Sequence, residues 1–130
     1  MPYCILSVAS DLSLTQIEKL RYEIDSALKN IAKTPLHSVM INIIPKAHIS
    51  MDGNNDVAML EVHTVPMSLE MKEKLGQKFL EIISEVTNIQ SKKIFIYFTI
   101  CERENWFLRG RTLQSWKEEW DLKGQSGFTD

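Results

Sequence analysis

The sequence predicts an α/β (α+β) domain: two consecutive β-α-β units that form a four-stranded mixed sheet with two helices on one face. Three observations predict it. Short β-rich apolar runs flank long amphipathic runs in the order strand–helix–strand, and that order repeats with equivalent elements roughly 55 residues apart. The chain has 130 residues, which is room for one such domain and its own hydrophobic core. Apolar residues make up 44% and charged residues 25%, which fits a folded globular chain and not a disordered or fibrous one.

The elements follow in order. Residues 3–8, Tyr-Cys-Ile-Leu-Ser-Val, suit a short strand. Ser13-Leu14-Thr15-Gln16 has capping-box spacing, with a Ser to accept from first-turn amides and a Gln three residues on. Ile17, Leu20, Ile24, Ala27, Leu28 and Ile31 then form one helical stripe, opposite Glu18, Lys19, Arg21, Glu23, Asp25 and Lys29. Thr34-Pro35 ends this helix, because the residue before proline is pushed out of the right-handed helical region. Val39 to Ile44 reads as a buried strand, ended by Pro45. Residues 46–56 are a polar loop built on Asp52-Gly53-Asn54-Asn55. Val57 to Val65 is the third strand, and Ser68 caps a helix whose stripe is Met71, Leu75, Phe79, Ile82, Ile83 and Val86. Ile94 to Ile100 is the fourth strand.

Within each β-α-β unit the two strands are expected to run parallel with a right-handed crossover. Both helices then lie on one face. The other face is bare, and strands this apolar call for an oligomer that covers it. Residues 1–113 form the domain, and residues 114–130 form a C-terminal tail with a short helix, in which Trp116 and Trp120 share a face. Residues 124–130 read as a frayed end.

Charge and composition exclude several functions. Lys plus Arg number 15 against 17 Asp plus Glu, so the chain lacks the electrostatic footprint of a nucleic-acid binder. No apolar run reaches the ~18 residues of a membrane helix. The first residues, Met1 to Val8, show neither a basic region nor an apolar stretch of signal-peptide length. Cys4 and Cys101 cannot make a disulfide framework and read as reduced thiols of a cytoplasmic protein. His37, His48 and His63 share no metal-ligand spacing with each other or with the cysteines. No nucleophile elbow and no phosphate-binding glycine loop is present. Neither a metal nor a cofactor is expected.

The start Met1-Pro2, followed by a strand and the doubled β-α-β order, resembles the tautomerase superfamily over about residues 1–113. The nearest likeness is to the branch containing macrophage migration inhibitory factor. It is carried by Pro2, by Ala32-Lys33-Thr34-Pro35 leading into Val39–Pro45, by Gly53-Asn54-Asn55-Asp56, and by Val62-His63-Thr64-Val65. The segment Asn105-Trp106-Phe107-Leu108-Arg109-Gly110-Arg111-Thr112-Leu113 is instead similar to the branches of malonate semialdehyde decarboxylase and cis-3-chloroacrylic acid dehalogenase. The resemblance implies a homotrimer whose sheets line an inner barrel, which would cover the bare face. It also implies removal of Met1, leaving Pro2 as an N-terminal catalytic base.

An α-amino group is already the most easily deprotonated common amine, with a reference pKa near 7.7–8.0. Apolar burial and a nearby cation such as Lys33 both lower it further, toward the working pH of a general base. The ring holds the proline nitrogen rigidly. Two readings stand for Lys33: the resemblance makes it the ligand of a substrate carboxylate, and its place at a helix end makes it a partner of the helix dipole. By the same resemblance the Val65 backbone amide binds substrate. Phe95 and Tyr97 share a strand face. The resemblance makes them pocket walls lent by the neighbouring subunit; otherwise one is core and one interface. Trp106 belongs to the same apolar pocket. Arg109 and Arg111 flank Gly110, an arrangement that suits either bidentate carboxylate binding or a charged surface.

The departures from the family pattern are informative. Val65-Pro66-Met67 has no cation where the decarboxylase and dehalogenase branches place paired arginines, and Leu108 falls where the dehalogenase has its water-activating carboxylate. Val57 to Leu60 replaces the Cys-x-x-Cys of the migration-inhibitory branch, so its redox activity is not expected. The expected function is a cofactor-independent keto–enol tautomerase of the phenylpyruvate type, acting on small 2-oxo or enol carboxylic acids. The alternatives are decarboxylation or dehalogenation of a three-carbon acid, and a non-catalytic trimer that binds or signals through the same fold.

Overall fold

The structure is a computed structural model that describes residues 2–35, 37–124 and 127. Six strands and three helices run in the order β1 (Tyr3–Val8), α1 (Leu14–Ile31), β2 (Met40–Ile44), β3 (Ala58–Thr64), α2 (Leu69–Thr87), β4 (Ile94–Ile100), β5 (Phe107–Leu108), β6 (Arg111–Thr112) and α3 (Leu113–Lys123). The main sheet has the strand order β2-β1-β3-β4. β1 and β2 are parallel, as are β3 and β4, while β1 and β3 are antiparallel at the centre. This is the mixed sheet that two β-α-β units give when joined through their first strands.

The helix signals act as read. Ser13 accepts from the Gln16 amide, and the Gln16 side chain accepts from the Ser13 amide, closing the capping box. Ser68 caps α2 by accepting from the Met71 amide. Leu20, Ile24, Ala27 and Leu28 of α1 and Leu75, Phe79, Ile82, Ile83 and Val86 of α2 are buried. They pack on Cys4, Leu6, Val8, Leu60 and Val62 of the sheet to form the main core. Each Val, Leu, Ile or Phe side chain among them contributes about 1.5–3 kcal/mol by leaving water.

Two expectations change. α1 ends at Ile31, ahead of Thr34-Pro35, because Lys33 turns into the left-handed region at φ 55°. The Leu28 carbonyl then accepts from both the Ala32 and Thr34 amides. β2, read as a buried strand, is an edge strand, and on the bare sheet face that the two helices were expected to leave, its Met40 is 57% exposed and its Ile44 40% exposed. Its composition is that of a buried strand, but both helices lie on the other side of the sheet.

The register defines that open face. Rows Met40–Tyr3–His63–Thr99, Asn42–Ile5–Glu61–Tyr97 and Ile44–Ser7–Met59–Phe95 cross it. Phe95 is 53% exposed. Tyr97 donates its hydroxyl to Glu61, and that hydrogen bond, with lesser help from desolvation and the Glu61 charge, raises the phenol pKa. His63 stacks on Tyr3 with ring centroids 5.8 Å apart.

The final segment forms a second, smaller core. β5 and β6 pair across a two-residue turn, Arg109 at φ 53° and Gly110 at φ 79°, both left-handed as a tight hairpin turn requires. Thr112 caps α3, whose buried residues Leu113 and Trp120 pack with Val65, Trp106, Leu108 and Trp116. Gly124 closes α3 in the left-handed conformation, and Gly127 lies so close to Pro35 that a Cβ there would stand 2.5 Å from the proline Cβ. The rest of the expected frayed end, residues 125, 126 and 128–130, lies outside the described residues.

Both cysteines are free thiols. Cys4 is fully buried, and desolvation pushes its pKa up to about 12. A folded-state pKa raised above the unfolded one gives stability that is complete below about pH 8.5 and is lost as pH climbs toward the folded value. Denaturation at increasing pH should show that decline in the wild type and a flatter curve in Cys4→Ala. A native thiol titration should find Cys101 reactive and Cys4 silent until unfolding.

Candidate functional site

The topology gathers one set of segment ends at a single sheet edge. β1 begins where the antiparallel β3 finishes, with Tyr3 opposite His63. β4 runs parallel to β3, so its end lies beside that of β3, and the Cys101 amide donates to the Thr64 carbonyl at 2.8 Å. β2 enters there too, its Met40 amide donating to the Pro2 carbonyl at 3.2 Å. The end of α1, the turn into α2 and the segment after β4 therefore converge on Pro2.

They enclose a cleft of about 450 Å³. Pro2, itself buried, lines it with Pro35, Val65, Pro66, Met67 and Met71. Lys33 and Thr34 come from the end of α1, and Ser38 and Thr64 are buried polar residues in the wall. α3 supplies Leu113, Lys117, Trp120 and Asp121, and the turn after β4 supplies Arg103. Lys117 and Asp121 are paired at 2.6 Å.

Of the residues singled out in the sequence, the chain brings Pro2, Lys33 and Val65 together in this cleft. It leaves Phe95 and Tyr97 on the open sheet face, away from the cleft of their own chain. Trp106 packs beneath α3 and donates its indole N–H to the Cys101 carbonyl at 3.1 Å. Arg109 sits exposed on the hairpin turn. Arg111 is engaged within the chain: it donates to the Ser115 hydroxyl and carbonyl, pairs with Glu119 at 3.3 Å, and stacks over Trp116 at 4.1 Å. It fastens the first turns of α3. Among the described residues no group of three His, Cys, Asp or Glu side chains could hold a metal, and no helix is long and apolar enough to cross a membrane.

Sequence reasoning missed Arg103, Lys117, Trp120 and Asp121 as cleft residues. The i, i+4 spacing of Lys117 and Asp121 and of Trp116 and Trp120 gave α3 its faces, but no local pattern says that α3 folds back over Pro2. Lys33 carries a testable mark of its place. A non-glycine residue in the left-handed region costs about 1 kcal/mol, so Lys33→Gly should raise stability in urea by about that amount. If Lys33 holds a substrate anion, the same variant should bind carboxylates more weakly; unchanged carboxylate affinity would leave it a purely structural turn.

A β-α-β repeat joined through antiparallel first strands, with both helices on one face of the sheet, is the tautomerase-type fold. The chain has that fold. It is similar to macrophage migration inhibitory factor of Toxoplasma gondii, with a TM-score of 0.77 and 16% identity, covering 85% of this chain and 98% of that one. It is similar to Pt0534 inactivated by 2-oxo-3-pentynoate, with a TM-score of 0.77 and 20% identity over 88% of this chain and 98% of that one. It is also similar to FG41 malonate semialdehyde decarboxylase inhibited by 3-bromopropiolate, with a TM-score of 0.73 and 16% identity over 90% of this chain and 96% of that one. No protein-family model matches the sequence, and no curated protein matches it.

Proposed function

We propose that the protein is a cofactor-independent keto–enol tautomerase of the phenylpyruvate type, acting in the cytoplasm as a homotrimer on small 2-oxo or enol carboxylic acids. The observation that carries this reading is the burial of Pro2 in an apolar-walled cleft that also contains Lys33. It is supported by the small acids that act on proteins of similar fold, one inactivated by 2-oxo-3-pentynoate and another inhibited by 3-bromopropiolate.

With Met1 removed, the Pro2 nitrogen is a secondary amine whose apolar surroundings disfavour its charged form. It takes the enol hydroxyl proton and returns a proton to the neighbouring carbon, so the substrate is isomerised and the amine is regenerated. Lys33 holds the carboxylate, and the Val65 amide donates to a substrate oxygen. In the trimer Phe95 and Tyr97 reach the cleft of the adjacent subunit, Trp106 backs the wall, Arg109 flanks the carboxylate end, and Arg111, engaged by Ser115, Glu119 and Trp116, holds α3 in place as part of that wall. Positioned acid–base chemistry of this kind gives about 10²–10⁴-fold.

The test is a pH–rate profile for ketonisation of enol-phenylpyruvate, on protein whose intact mass shows Met1 absent. An ascending limb below pH 7 supports a neutral amine base. No rate above buffer from folded protein with a free Pro2 would overturn the reading and direct attention to three-carbon acids.

A further inference from the structure

The open face of the main sheet carries one carboxylate and no fixed cation. The titratable groups on its three rows are Tyr3 from β1, Glu61 and His63 from β3, and Tyr97 from β4. β2 brings none, and no lysine or arginine stands on any of the rows. Glu61 is partly buried and accepts from the Tyr97 hydroxyl. Among the described residues the one basic group within ion-pair reach of it is His63, whose Nε2 stands 4.0 Å from the Glu61 carboxylate. Stacking on Tyr3 holds the His63 ring beside it. With His63 neutral the face has one net negative charge. With His63 protonated it has none.

A second copy of the chain is the occupant that this face fits. β2 and β4 are the two edges of the sheet, so each copy offers two edges whose backbone groups can pair. A contact from one edge to the opposite edge of the next copy is heterologous and can close into a ring. Met40, Ile44 and Phe95 then leave water inside it. This is the homotrimer of the reading above, on which the inference rests. Covering the face takes Glu61 out of water as well. A carboxylate without a cation opposes that step, because burying an unpaired charge is costly. A proton on His63 turns the lone charge into an ion pair, which a low-dielectric interior strengthens.

We propose that assembly of the subunits is coupled to proton uptake at the Glu61–His63 pair, which makes this pair a pH-sensitive switch on the interface. The assembled state holds the proton more tightly than the free subunit does. Its gain is complete at pH values below the titration of the free subunit and is lost as pH rises through that of the assembly. Histidine ordinarily changes charge between pH 5 and 8, so the switch lies across neutral pH. Tyr97 does not compete for the proton, since its hydrogen bond to Glu61 raises the phenol pKa and keeps it a donor. On the proposed reading Phe95 and Tyr97 complete the neighbouring cleft, so the same switch sets how many clefts are whole at a given concentration.

Sedimentation velocity of the full chain over a dilution series, at pH 6 and pH 8, reads the concentration at which the assembly half-dissociates. One linked proton is worth about tenfold per pH unit, so that concentration should be at least about tenfold higher at pH 8. Glu61→Gln keeps the size and an acceptor for Tyr97 but removes the charge. It should assemble at pH 8 as tightly as the wild type does at pH 6. His63→Gln leaves Glu61 without a basic neighbour and should assemble at pH 6 as weakly as the wild type does at pH 8. Equal half-dissociation of the wild type at the two pH values, which a lysine or arginine brought to Glu61 by the next copy would give, would overturn the proposal. So would a pH dependence retained in Glu61→Gln, weakening of both variants at both pH values, or a monomer at every concentration. The two readings fail separately. Assembly independent of pH with Pro2-dependent ketonisation removes only the proton link, and proton-linked assembly without ketonisation removes only the tautomerase.

Discussion

Replacing Pro2 by Ala, in protein shown by mass to lack Met1, is expected to lower kcat/KM for enol-phenylpyruvate by about 10²–10³-fold, within the range that positioned acid–base catalysis supplies. The variant keeps an N-terminal amine, so the loss measures more than basicity. In proline the ring fixes the nitrogen relative to Cα, whereas in alanine the amine rotates freely and must be ordered in each turnover. The Pro2 carbonyl, which accepts from Met40, is retained, so the entry of β2 should survive. Circular dichroism and the urea midpoint should therefore change little while the rate falls. The residual activity should have its ascending limb shifted toward the ordinary α-amine range near pH 8. A variant that keeps a third or more of wild-type kcat/KM would sink the assignment of Pro2 as base.

The second large effect is expected from Trp120→Ala. Trp120 is 6% exposed and, with Leu113, is one of two buried residues of α3. Truncating a buried Trp costs about 3–5 kcal/mol. The loss should be local, because Trp120 belongs to the small core with Val65, Trp106 and Trp116, and the sheet and the two long helices form a separate one. α3 should undock while β1–β4, α1 and α2 stay folded. Hydrogen exchange should show the α3 amides losing protection ahead of the sheet. Since α3 walls the cleft, KM should rise more than kcat falls. A single cooperative loss of stability with α3 still protected would show the two cores to be one.

The two predictions rest on parts of the molecule that were unequally legible in the sequence. The β-α-β repeat was legible because each element carries a local signal. Ser13 and Gln16 close a box three residues apart, and Leu75, Phe79 and Ile82 recur at helical spacing whatever surrounds them. The edge position of β2 was not legible, because Val-Met-Ile-Asn-Ile-Ile reads alike at the edge of a sheet and in its middle. The end of α1 was misplaced because proline is a strong local stop, whereas the left-handed turn at Lys33 has no compositional mark. Pro2, Lys33 and Val65 could be grouped through the resemblance. Arg103, Lys117 and Asp121 could not, since the pairing of β4 in the sheet brings Arg103 near Pro2 and the fold-back of α3 brings Lys117 and Asp121 there, contacts that span more than a hundred residues of sequence.

The doubling of the fold has a consequence for how often its chemistry can occur. β3 and β4 repeat the parallel pairing of β1 and β2, so β3 opens the second unit as β1 opens the first. The residue ahead of β1 is Pro2, and the residue ahead of β3 is Val57. Val57 is joined through its nitrogen to Asp56, so that nitrogen is an amide with no proton affinity to offer. A copied scaffold can copy side chains, but a polypeptide has one amino terminus. On the proposed reading, symmetry stops at the chemistry: each subunit has two halves of one architecture and a single place where a proton can be taken.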